Sequence, residues 1–345
     1  MGKYIVSVNS GSSSLKVSVA DFDTLEILYN GEKKNVTNFM ESSKEVIDSM
    51  KETIDLDCIV AIGHRIVHGG SQKNIAREIN DEVLAEMNTF AAFDPMHAVS
   101  ALALVDAMTQ LFPNAKQIAC FDTAFFHDIP KVAQTIALPR KYQEKGIRRY
   151  GFHGLSYNYV LNELRTKGVP VENEKIVIAH LGSGASLAAI EYGKPIDMTM
   201  GFTPTSGIVM SSRTGDIDPG LIGYLHKEFN MSVEEWTDLT NKQSGILGVS
   251  GLSADMYTLI QAENDNEHAK EAVELFAYKV KQAIGSLAAS MNGIDRLVFT
   301  GGIGEASSIL RERIIDGLTF LQIKQVNVVS TNENIVILKN VKELV

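Results

Sequence analysis

Apolar positions along the chain change period repeatedly, from the continuous runs of buried strands to the three-and-four spacing of helices. Tyr4–Asn9 is a strand-like run that breaks at a Gly/Ser stretch and resumes over Val17–Ala20, which predicts a hairpin. The same pattern returns halfway along, where Lys175–Leu181 meets Gly182-Ser183-Gly184 and then Ala185–Ile190. Leu15 aligns with Leu187 at an offset of 172 residues, and Ser14 then falls on Ser186. Two related halves, each opening with a hairpin loop of phosphate size, are the expectation, against chance recurrence of a common hairpin pattern.

Between and after the hairpins, helices and strands alternate. Ser42–Lys51, Val99–Leu111 and His268–Met291 have helical spacing; in the last, Val273, Phe276, Val280, Ile284, Leu287 and Met291 form one face, and Asn292-Gly293 stops it. Cys58–Ile62, Gln117–Phe121 and Arg296–Thr300 read as strands, Gly301–Gly304 as a tight turn and Ser307–Gly317 as a helix. Alternation of this kind predicts an α/β fold. At 345 residues the chain exceeds what one core usually supports, roughly 250–300 residues. We place a first domain over residues 1–149 and a second over 150–345, with the last helix, about 333–345, packing back on the first.

Composition narrows the function classes. Hydrophobic content of 45% and charged content of 21% are ordinary for a globular protein and argue against disorder. The start, MGKYIVSVNS, has no signal-peptide pattern, and no apolar run reaches the roughly 18 residues of a membrane helix. Cys58 and Cys120 read as buried free thiols, so a cytoplasmic location is expected. A net charge of −10 without any basic stripe excludes nucleic acid as a natural partner. An anionic small ligand would have to be held by local devices: backbone N–H groups, a bound cation or a few placed arginines.

Several segments could supply such devices. Asn9–Lys16 (NSGSSSLK) offers hydroxyl and backbone donors plus the Lys16 cation, although an ordinary polar hairpin would look similar. Gly63–Gly70 (GHRIVHGG), directly after a predicted strand, puts an arginine and two histidines beside paired glycines, which suits an anion site. Asp122 follows an apolar strand, where α/β folds place functional carboxylates, with a turn or cap as the alternative. Arg148–Gly154 (RRYGFHG) and Ser211–Pro219 (SSRTGDIDP) add cations; Asp216 and Asp218 in the latter read first as capping residues. Gly301-Gly302-Ile303-Gly304-Glu305 lies between a strand and a helix, where glycines can admit a nucleotide.

Taken in order, NSGSSSLK, GHRIVHGG, FDTAFF, IRRYGFHG, HLGSGAS, MGFTP, SRTGDIDPG, GILGVSG and GGIGE resemble the acetate kinase family over nearly the whole chain. The resemblance implies a duplicated two-domain ribonuclease H-like fold, shared with actin, sugar kinases and heat-shock ATPases, with an interdomain active-site cleft. It implies a homodimer that moves the γ-phosphoryl of ATP to acetate with Mg²⁺ (or Mn²⁺), giving acetyl phosphate and ADP. By matching position, Arg65 and Arg213 correspond to paired arginines on the carboxylate and phosphoryl, Asp122 to the catalytic aspartate, and His153 to a histidine that, with Arg213, stabilises the transition state. Asn9 and Glu333 correspond to residues near the metal. Val67, Met96, Phe152 and Pro204 match the acyl pocket, and His97 a histidine lining the site. On the nucleotide and phosphate side the matches are Ser12, Ser14, Lys16, His180, Gly182, Ser183, Gly184, Asp255, Met256, Tyr257, Gly301, Gly302, Ile303, Gly304 and Glu305.

Departures from the family pattern cluster on that nucleotide side. Ser183 stands where Asn is usual, Tyr257 where Arg is usual, Ala306 where Asn is common, and Asn334 where a second Glu is common; Leu155-Ser156-Tyr157 replaces Thr-Ser-His. The chain is also shorter around Asn30–Ser42 and between Leu318 and Val328. The alternatives kept open are a kinase for propionate or another short-chain carboxylate, a member using another phosphoryl donor such as pyrophosphate, and a non-catalytic nucleotide-binding relative.

Overall fold

The structure is a computed structural model that describes residues 2–345 except 11–13, Asn35 and Ala92, with the backbone alone at Pro95 and Met96. It divides into two compact units that are discontinuous in sequence. One comprises Met1–His127, Phe152–Tyr159 and Asn332–Val345; the other comprises Asp128–Gly151 and Val160–Thr331. A single cut at 149/150 therefore does not describe the units, because short segments are exchanged between them.

The first unit is built on a six-stranded sheet of β1 (Tyr4–Ser10), β2 (Ser14–Asp21), β3 (Ile27–Lys34), β4 (Ile59–Ile66), β5 (Ala76–Glu78) and β6 (Lys116–Phe121), in the order β3-β2-β1-β4-β6-β5. β1, β2 and β3 form an antiparallel meander, while β4 runs parallel to both β1 and β6. Val6, Val8, Val17, Val19 and Ile62 bury one face against the helices Phe39–Met50 and Pro95–Leu111. The other face carries Ile5, Ala61, Ile118 and Cys120 and meets Val336, Ile337, Leu338 and Val341 of the helix Glu333–Leu344. Gly63 makes that contact possible: a Cβ there would lie 2.5 Å from methyl groups of both Ile337 and Val341. The loop glycines Gly69 and Gly70 answer a similar crowding, by the rings of Phe121 and Phe90.

The second unit repeats the plan with β7 (Lys175–Leu181), β8 (Ala185–Glu191), β9 (Lys194–Met198), β10 (Arg296–Thr300) and β11 (Gln325–Val328), in the order β11-β10-β7-β8-β9. Again a three-stranded meander is followed by strands added in parallel. The repeat is one of topology more than of residue spacing. Carrying the facing pair Val8 and Val17 forward by 172 would set His180 opposite Ala189, but His180 faces Ser186, so the second hairpin is tighter by three residues. The 24-residue helix Glu267–Ser290 covers this sheet with Val273, Phe276, Val280, Ile284 and Leu287, and Asn266 caps its start.

Three boundary expectations change. Gly63, His64, Arg65 and Ile66 do not follow the strand but form the end of β4, because backbone pairing with β1 and β6 holds them extended. Gly301–Ala306 is a short helix and not a tight turn. Gly301 has φ +79°, and a Cβ there would meet the Leu181 carbonyl oxygen at 2.7 Å, so its glycine serves close packing on β7. Cys58 lies half-buried in a short 3₁₀ turn, Leu56–Cys58, instead of a strand, and both cysteines are free.

Candidate active site

In the first unit, β1, β4 and β6 run parallel to one another, so Asn9, Arg65 and Asp122 arrive together at the carboxyl ends of adjacent strands. Asp122 is fully buried. Its Oδ2 accepts from Arg65 Nε at 2.9 Å and Nη2 at 2.7 Å, and its Oδ1 accepts the Leu155 backbone N–H at 3.1 Å. Arg65 Nη1 reaches Glu333 Oε2 at 2.9 Å and Asn9 Oδ1 at 3.3 Å, and Asn9 Nδ2 donates to the same Glu333 oxygen at 2.8 Å. Glu333 is delivered by the first turn of the helix that packs on β1 and β4, with Asn332 as its cap. Four of the residues expected in the site thus form one network from three strands and a helix.

The electrostatics of this network are unbalanced. Burial and the neighbouring Glu333 charge push the Asp122 carboxyl above the usual range, with the Arg65 guanidinium opposing. Burial works against the Arg65 charge too, but the two carboxylates outweigh it and hold the guanidinium protonated. One cation faces two carboxylates, so the cluster carries excess negative charge and hard oxygen donors, chemistry that suits Mg²⁺. A guanidinium has five N–H bonds; four contacts to Asp122, Asn9 and Glu333 leave a donor for a substrate oxygen.

The segment after Asp122 is fitted to it closely. A Cβ on Gly154 would sit 1.9 Å from the Asp122 carbonyl oxygen, so only glycine lets the helix Gly154–Thr166 begin there and present the Leu155 amide. His153, just before it, is held at φ +59°, a left-handed conformation that is costly for a side chain with a Cβ. Phe152 is buried with its ring 5.5 Å from that of His68, which also packs on Phe90 and Phe93, giving an apolar aromatic wall beside Val67. His97 Nδ1 pairs with buried Asp94 at 2.9 Å. The side chain of Met96, and Ser12, lie outside the described residues.

In the second unit, a cleft of about 990 Å³ is lined by Gly182, Ser183, Asp255, Met256, Tyr257, Gly302 and Ile303, together with Ser211, Ser212, Ile260, Gln261 and Ile309 among others. Seven residues assigned to the nucleotide side therefore converge on one space. Others assigned there do different work. Glu305 Oε1 accepts the backbone N–H groups of Gly301 at 3.0 Å and Thr331 at 3.1 Å, tying the short helix to the segment after β11. Gly304 packs on β7, and Gly184 accepts the Gly182 N–H within the hairpin loop. His180 is buried at the end of β7. Lys16, exposed on β2 of the first unit, lies 4.0 Å from Glu32, and Ser14 opens β2 opposite Lys34.

Arg213 and Pro204 meet: Arg213 Nη1 donates to the Pro204 carbonyl at 3.3 Å. The arginine's loop is fastened by backbone bonds from the segment Ser244–Leu247 to Met210, Ser211 and Ser212, and Gly245 at φ +64° fits where a Cβ would meet the Met210 carbonyl at 2.2 Å. Asp216 accepts the Gly207 N–H and Asp218 the Gly220 N–H, so both stabilise the loop. Sequence reasoning did not single out Asp94, Gly154 or Glu305's bracing role. The first had no motif around it; the other two depend on contacts that only the fold creates.

Comparison with known proteins finds relatives of this chain. The acetokinase family profile matches residues 29–341. An acetate kinase of Rhodopseudomonas palustris is 46% identical over 262 residues, covering 76% of this chain and 65% of its own length, so the chain spans just under two thirds of that relative. An acetate kinase of Bacillus cytotoxicus is 39% identical over 92% of this chain and 87% of its own. A solved propionate kinase from Francisella tularensis superposes with a TM-score of 0.92 at 32% identity, covering 99% of this chain and 100% of its own.

Proposed function

We propose that this chain, which belongs to the acetokinase family, transfers the γ-phosphoryl group of ATP to the carboxylate of acetate, reversibly. One carboxylate oxygen forms the new bond to phosphorus. The bond from phosphorus to the β,γ-bridging oxygen breaks, its electron pair leaves with ADP, and acetyl phosphate is the product. The observation that carries this reading is Arg65, bound by Asp122, Asn9 and Glu333 at the carboxyl ends of three adjacent strands.

A carboxylate is nucleophilic enough without a strong general base. The task is to bring two anions into line and offset the charge on the equatorial oxygens. Arg65, prevented from losing its proton or swinging away by two carboxylates, orients the acetate carboxylate through its remaining donor. Arg213 and His153 compensate charge on the transferring group. Val67 and Phe152 bound the acyl group on the first unit; Met96 and Pro204 are assigned to it by the family resemblance alone. Ser183, Tyr257 and the other residues of the second unit's cleft take the nucleotide; Lys16 and Ser14 are assigned to its phosphates by the family resemblance alone.

Asn9, Asp122 and Glu333 supply hard oxygens suited to Mg²⁺. Among the described residues no three His, Cys, Asp or Glu side chains form a metal cage, so the ion would share its coordination with nucleotide phosphates, the common arrangement for this cation. Bound there, it would neutralise phosphate charge. A homodimer in the cytoplasm, without nucleic-acid or membrane partners, belongs to the same proposal; the net charge of −10 disfavours nucleic acid.

The solved propionate kinase of the same fold gives a second acceptor some weight. The test is acyl phosphate formation trapped as hydroxamate with Mg²⁺, offering acetate, propionate and butyrate against ATP, GTP and pyrophosphate. With ATP as donor, acetate should give the highest kcat/KM of the three acids. A larger value for propionate would move the assignment to the longer acid, and activity with pyrophosphate alone would replace the nucleotide as donor.

A further inference from the structure

The cleft of the second unit has an unusual lining for a site meant to take a polyanion. Among the described residues no lysine, arginine or histidine lines it, and Asp255 is its only carboxylate. Much of its hydrogen-bonding capacity is already committed. Asp255 Oδ2 caps the helix Met256–Ala262 by accepting the Thr258 amide and hydroxyl at 3.1 and 2.7 Å, Ser307 accepts the Leu310 amide, and the Ser212 hydroxyl donates to the Asn241 carbonyl. Two large side chains, by contrast, stand open: Tyr257 is 70% exposed and Ile309 is 49% exposed. Neither is covered by the protein and both line the cleft, so both are available to a ligand bound there.

We propose that Tyr257 is the stacking platform for the nucleobase of the phosphoryl donor, with Ile309 adding apolar contact, so that the base is recognised by its face and not by the pattern of its edge. The inference rests on the reading of this cleft as the nucleotide site. An aromatic ring can take any base, because every base has a π-face, and such a contact is sequence-tolerant. An arginine at this position would add charge and a fork of donors for a base edge; tyrosine has neither, so discrimination between adenine and guanine is given up while base affinity is kept.

Tyr257 is exposed and in the first turn of its helix, so it can be changed without touching the core. Calorimetric titration with ADP and GDP should give Kd values within a few-fold of one another for the wild type. Tyr257→Ala should weaken both on the order of 10-fold, within the range of a base–aromatic stack, and Tyr257→Phe should bind like the wild type. In turnover, Tyr257→Ala should raise KM for ATP with kcat held. Unchanged ADP affinity in Tyr257→Ala overturns the inference while leaving the nucleotide site intact. So does a Tyr257→Phe loss as large as that of alanine, or a loss confined to ADP, since either makes the hydroxyl or the base edge the recognised feature. Failure of the folded wild type to bind any nucleotide overturns the reading of the cleft itself.

Discussion

At the residue scale, two buried basic side chains one position apart on β4 have opposite fates because of what each neighbours. Arg65 points to two carboxylates and stays charged. His64 is fully buried with only the Gln117 side chain at 2.7 Å from Nε2 and nothing on Nδ1, and burial pulls its pKa down from 6.5 to about 4. The folded state therefore keeps His64 neutral while the unfolded state takes up a proton below 6.5. Stability from this group is present above pH 6.5 and is lost as pH falls from 6.5 through about 4, a change on the order of 3 kcal/mol. Melting temperatures of wild type and His64→Gln, measured from pH 7.5 down to 4.5, should converge as pH falls. Parallel curves would show that His64 titrates normally.

At the scale of elements, the site depends on where a helix begins. Asn332 Oδ1 accepts the Ile335 amide at 3.2 Å and fixes the first turn from which Glu333 reaches Arg65. Asn266 performs the same capping on the helix Glu267–Ser290, accepting the Ala269 amide at 2.9 Å. Removing either side chain should cost about 1 kcal/mol and lower Tm by a few degrees. Only Asn332→Ala should also reduce kcat/KM, because only that cap holds a residue of the network. Equal activity losses in Asn332→Ala and Asn266→Ala would show that the effect is general loosening and not placement of Glu333.

How much could be read before folding also varies with the element. The apolar runs of β1, β6, β7 and β10 and the long helix Glu267–Ser290 were legible, because burial on one or both faces writes itself directly into residue pattern. Asp122 was legible for the same reason, as the first polar residue after such a run. The end of β4 was not: the apolar run stops at Ile62, and only pairing with strands on both sides carries the sheet on through Gly63-His64-Arg65. Glycines at Gly301–Gly304 read as a turn because they disfavour helix, whereas close packing on β7 is what demands them. The pairing of Asn9 with Glu333, 324 residues apart, has no local signature at all; it came from the family resemblance and from nothing in spacing.

At the scale of the whole molecule, the chain uses one topological plan twice, a meander followed by parallel strands, and gives the two copies different chemistry. The first copy gathers charge at its strand ends, through Arg65, Asp122 and Glu333. The second opens a cleft beside Gly182 and Gly302 in which Asp255 is the one charged lining residue among those described. This division would let a protein of net charge −10 take the proposed anionic substrates: cationic groups are placed singly and braced, not spread over a surface. The most direct test of that account is the rate of acetyl phosphate formation from ATP and acetate by the wild type and by Arg65→Ala, each shown by its melting curve to be folded. A fall in kcat/KM on the order of 10²–10³ in the variant is the predicted result; equal rates in the two proteins, or no acetyl phosphate from the folded wild type, would contradict it.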